Sequence, residues 1–115
     1  MQVRDFVIRH IKSLEQLELL LLLASDPSKS WTLQQLVKEI SSTRESVAQR
    51  VNQLTEEGLL AKDGEFFRFS PASPEKAAVV PELAVAYRKY RVRITELIYS
   101  RARVLKVFSD AFKLR

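Results

Sequence analysis

The chain has 115 residues, 46% of them apolar and 29% charged, with a formal net charge of +5. This is the composition of one small globular domain, or of such a domain with an appended helix, and not of a disordered chain. With no cysteine, a single histidine (His10) and only two glycines (Gly58 and Gly64), it has no disulfides, thiolate zinc site, cysteine nucleophile or glycine-rich phosphate loop.

Residues 2–12 are apolar at Val3, Phe6, Val7, Ile8 and Ile11. The pattern suits either a helical turn or a short extended arm. Ser13 and Gln16 have the form of a capping box and predict a helix from about Leu14 to Ala24. Apolar almost all round from Leu19 to Ala24, that helix should be the buried centre of the fold. The run is far short of the roughly 20 residues that cross a bilayer. Residues 1–9 lack the layout of a signal peptide, so a cytoplasmic protein is expected. Asp26-Pro27 ends the helix.

Trp31 is expected to pack between the central helix and the base of a hairpin rather than to stack on a ligand. Thr32 with Gln35 forms a second capping box, opening a helix near residues 33–41. Ser42 with Glu45 forms a third, opening one over about residues 43–57, with Val47, Val51 and Leu54 facing inward. Gly58 sits where a left-handed residue ends a helix. Asp63-Gly64 between Leu59–Lys62 and Glu65–Phe69 is a strong hairpin signal. Residues 71–81 read as a proline-containing linker, and from about Glu82 the pattern is helical to residue 115. The expected class is mainly α with a small β-hairpin: a winged helix-turn-helix over residues 1–70 with an N-terminal arm, plus a long C-terminal helical extension over 82–115.

Thr32-Leu33-Gln34-Gln35-Leu36, the run Val47-x3-Val51-x2-Leu54-x2-Glu57-Gly58-Leu59-Leu60, Asp63-Gly64 and Phe66–Phe69 resemble the winged-helix regulators of bacteria, in the broad MarR, ArsR and PadR sense. The segments Ile94–Ser100 and Phe108–Arg115 are similar to small bacterial winged-helix proteins of no assigned activity. The first resemblance implies a regulator of transcription whose third helix enters the DNA major groove. Carried onto this chain, the DNA-facing residues are Arg44, Glu45, Ala48, Gln49 and Asn52, with Gln53 flanking, and Lys62 and Arg68 on the hairpin. Arg44 can bond guanine, and Gln49 or Asn52 adenine. Against this pattern, residues 43–69 hold five acidic and four basic side chains, and DNA affinity depends on neutralising phosphates.

Residues 86–115 hold nine basic and two acidic side chains, a balance of +7, which leaves −2 for residues 1–85. In this basic segment a heptad-like stripe runs through Leu83, Tyr87, Tyr90, Ile94, Leu97, Val104 and Phe108, and continues to Ala111. It predicts one helix of about 30 residues, roughly 45 Å long, or a pair of shorter helices broken at Ser100 that would let the end fold back. Such a rod is too long to bury itself on a small core, so a homodimer seam is expected. The partners expected are therefore a second copy of the chain and double-stranded DNA. The second reading is a protein-interaction module whose basic helix binds an acidic partner, and the weaker third places it on an anionic membrane surface. No cofactor or metal is expected, and no nucleophile is paired with a base to suggest an enzyme. His10 has no partner set for ligation and is expected at a surface or interface.

Overall fold

The computed structural model describes residues 1–100. Within residues 2–12, Val3–His10 form helix α1, which buries Phe6 and Val7, and Ile11 follows it into the core. Ser13 caps α2 (Leu14–Ser25) by accepting from Gln16 N. The Gln16 side chain does not return to the cap. It is fully buried; its Oε1 accepts from Lys12 N at 2.8 Å and its Nε2 donates to His10 O at 2.9 Å, tying the α1–α2 corner together. The leucine run is core as expected, with Leu17, Leu19, Leu20 and Leu23 buried.

The sheet has three strands in the order β1-β3-β2, one more than the hairpin expected. β1 is only Trp31–Thr32 and pairs antiparallel with β3 (Phe66–Phe69), Trp31 opposite Phe67. Trp31 is buried there, and Lys29 Nζ covers its ring at 3.7 Å from the centroid. β2 (Leu60–Asp63) pairs with β3 so that Asp63 lies opposite Phe66. The two-residue loop is therefore Gly64-Glu65, with Asp63 the last strand residue. Gly64 has φ +61°, and a positive φ at a glycine in the first loop position is what a type II′ turn requires.

Thr32 closes the full capping box on α3 (Leu33–Ile40) with Gln35. The third cap is one residue later than expected: Thr43, not Ser42, accepts from Ser46 N to open α4 (Arg44–Glu56). Ser41 in the left-handed region, φ 57°, turns the chain between α3 and α4. Val47, Val51 and Leu54 of α4 are all fully buried.

At the end of α4, Leu59 N donates to Leu54 O and Gly58 N to Thr55 O, the paired bonds of a Schellman motif. Lys76 Nζ adds a bond to Glu57 O at 2.6 Å, a cation where the helix dipole favours one. Gly58 has φ +73°, and a Cβ there would lie 3.1 Å from both Ala72 Cβ and Lys76 Nζ. Gly58→Ala should therefore cost about 1–2 kcal/mol, the penalty of a left-handed non-glycine residue. A lowered urea midpoint with unchanged slope would report it.

Two expectations about the C-terminal third are corrected. Residues 71–81 are not a linker, and the helix does not begin at Glu82: α5 runs Pro74–Lys89, capped by Ser73, with Pro74 in its first turn and Pro81 inside it. Proline is favoured at a helix start, and Pro81 lies on the exposed side together with Ala77, whose carbonyl is the one left without a helical donor. Nor is there one long rod. Tyr90, at φ −128° and ψ 46°, ends α5, and residues 91–100 are helical again. The break lets both parts return to the core, where Val79, Val80, Leu83, Ile94 and Ile98 are buried.

Candidate nucleic-acid interface

With Val47, Val51 and Leu54 buried, the 3.6-residue period turns Arg44, Glu45, Gln49 and Asn52 to solvent, while Ala48 and Gln53 are half-buried. Between this face, the start of α3 and the hairpin lies an open cleft of about 350 Å³. Arg44, Ala48 and Asn52 line one wall, Lys62, Gly64 and Glu65 the other, with Leu33 and Phe67 supplying apolar surface. Four of the seven expected DNA-facing residues thus meet in one place. Glu45 and Gln49 are exposed on the same helix outside the cleft. Arg68 is placed apart: strand alternation puts it on the other face of the hairpin, beside Ser30, Asp63 and Phe66. Lys62 Nζ stands 5.6 Å from the centroid of the Phe67 ring.

The position of α4 is fixed by side-chain pairs that the sequence did not join. Glu15, in the first turn of α2, accepts from Ser46 Oγ at 2.5 Å and from Ser42 Oγ at 2.8 Å, gripping the α3–α4 turn. At the far end of α4, His10 Nδ1 lies 2.5 Å from Glu57 Oε2. The His10 side chain is only 15% exposed, and its ring tilts against Phe6. These pairs span 27, 31 and 47 residues, and no local pattern announces a partner so distant. Arg50 is half-buried on the flank of α4, its guanidinium near Gln53 and its Nε without a partner.

The expected dimer stripe is divided by the break at Tyr90. Leu83 and Ile94 are buried in the chain's own core, Tyr87 and Leu97 pack partly against it, and Tyr90 is exposed. Val104 and Phe108 lie outside the described residues, as do the basic side chains from Arg101 onward. Arg88, Lys89, Arg91 and Arg93 are exposed. Arg91 lies 3.9 Å from Glu18, an exposed pair of little energetic weight. Among the described residues no group of three His, Asp or Glu side chains could hold a metal, and no helix is long and apolar enough to cross a membrane.

No family model matches the chain, and no curated protein resembles it in sequence. Solved structures do resemble it in shape. A MarR family protein of Mycobacterium tuberculosis, RV2887, superposes with a TM-score of 0.59 over 96% of this chain and 82% of that one, at 15% identity. Ligand-free NadR gives 0.59 over 98% and 83%, at 18% identity. RV1404 from Mycobacterium tuberculosis gives 0.54 over 96% and 80%, at 16% identity. Coverage this complete at identities this low is a likeness of backbone, not of side chains.

Proposed function

Starting from a winged helix-turn-helix fold shared with a MarR family protein, we propose that the chain is a sequence-specific, DNA-binding transcription regulator that acts as a homodimer. One observation carries the reading: α4 shows a continuous polar face to solvent, with the hairpin standing beside it across an open cleft. A helix so placed can enter a major groove, and its outward residues can meet base edges. Arg44 suits guanine, Gln49 and Asn52 suit adenine, and Ala48 offers apolar contact to a thymine methyl. Lys62, on the hairpin side of the cleft, would meet a backbone phosphate. A second copy would set two such helices one turn of DNA apart, and the exposed Tyr90, Val92 and Tyr99 give it apolar surface to meet.

The chain should shift duplex DNA in an electrophoretic assay, with binding that falls steeply as salt rises. The double variant Arg44→Ala, Gln49→Ala should bind its preferred duplex at least about tenfold more weakly, since one good bidentate pair alone supplies that discrimination. Full binding by the variant, or no shift of any duplex at low salt, would refute the reading. The near-neutral charge of residues 43–69 favours a second reading, a winged helix that binds an acidic protein through the exposed Arg88, Lys89, Arg91 and Arg93. Capture of a stable partner by the full chain, lost on replacing those four side chains with glutamine, would support it.

A further inference from the structure

The hairpin's two basic side chains, Lys62 and Arg68, lie outside the turn and on opposite faces beside it. Lys62 lines the cleft beside α4, and Arg68 occupies the opposite face with Ser30 and Phe66. The tip itself is Asp63-Gly64-Glu65, all three exposed. A Cβ built on Gly64 would meet nothing within 4 Å, so the turn has open space beside it. The end of the hairpin thus carries two carboxylates, with its cations set on the two strands behind them.

A narrow A·T-rich minor groove concentrates the negative potential of both DNA backbones and draws arginine and lysine into it. Asp63 and Glu65 would meet that potential with the same sign, and Gly64 offers no side chain to reach a base. Resting on the DNA-binding reading above, we infer that this wing stays out of the minor groove, so that the winged-helix unit among the described residues reads sequence through the major groove alone. The discriminating residues are then Arg44, Ala48, Gln49 and Asn52 of α4. Lys62, held back in the cleft, touches backbone without reading it, and Glu65 keeps the neighbouring minor groove at a distance.

The test uses base analogues that alter one groove at a time. The full chain first selects a preferred duplex from a random library at low salt. That duplex is then rebuilt with 2,6-diaminopurine for every adenine, which adds an amino group in the minor groove and keeps the major-groove pattern. A second version carries inosine for every guanine, which removes the minor-groove amino group. A third carries 7-deazaguanine and 7-deazaadenine, which remove the major-groove N7 acceptors. The first two should bind within about twofold of the natural duplex, and the third at least about tenfold more weakly, because bidentate readout needs N7. A tenfold loss with either minor-groove analogue overturns the inference while leaving DNA binding intact. Tolerance of the deaza duplex also overturns it, since α4 would then not be the reader. If no duplex is selected, the DNA-binding reading falls, and this inference with it.

Discussion

Phe6→Ala should destabilise the fold by about 3–5 kcal/mol, the range for emptying a fully buried phenylalanine site. The Phe6 side chain is 0% exposed and lies against the His10 ring, 5.1 Å between centroids. α1 has only eight residues, too few to persist as a helix without tertiary contacts. Its helicity therefore depends on this anchor, and His10 depends on α1 to reach Glu57. Urea unfolding followed by circular dichroism should show the midpoint fall sharply. A loss below about 1 kcal/mol, well under the usual range for such a site, would mean that α1 is not docked as described.

Gln16→Leu is the second large effect. Leucine nearly preserves the volume, so packing changes little, but Lys12 N–H and His10 C=O both lose the side chain that serves them. Leaving a fully buried backbone group unsatisfied costs about 1–3 kcal/mol; the two groups at the α1–α2 corner are part-buried, so together they fall in the lower part of the doubled range, about 2–4 kcal/mol. Thermal unfolding of the variant should show a fall of several degrees or more, and hydrogen exchange at Lys12 should speed up. Stability equal to that of the unaltered chain would show that the corner does not depend on this amide.

Structure that follows from neighbours in sequence was legible in the residues. Ser13, Thr32 and Gly58 each mark a helix end because a capping group or a left-handed residue is needed within three positions of the boundary. The leucine run of α2 is buried because it leaves no polar stripe for solvent. The outward face of α4 followed from Val47, Val51 and Leu54 alone. Structure that depends on distant partners was not legible in this way. β1 is two residues whose strand character comes only from pairing with Phe66 and Phe67. Glu15 and His10 look like ordinary surface residues until the fold carries Ser42, Ser46 and Glu57 to them. Proline signals misled in the other direction, because Pro74 and Pro81 look like breakers but occupy a helix start and an exposed helix side. Nothing in the heptad-like pattern marks Tyr90 as the point where the helix breaks.

The corner between α1 and α2 contributes both His10 and Glu15, and these take hold of opposite ends of α4. Its spacing is therefore under tighter constraint than its chemistry. The Lys12 side chain is exposed and open to many replacements, but its backbone N–H is already claimed by Gln16. One residue inserted there would displace His10 relative to Glu15 by up to about 3.5 Å, more than either contact could absorb. Related chains that keep this arrangement should vary in composition at the corner while holding the number of residues across it fixed.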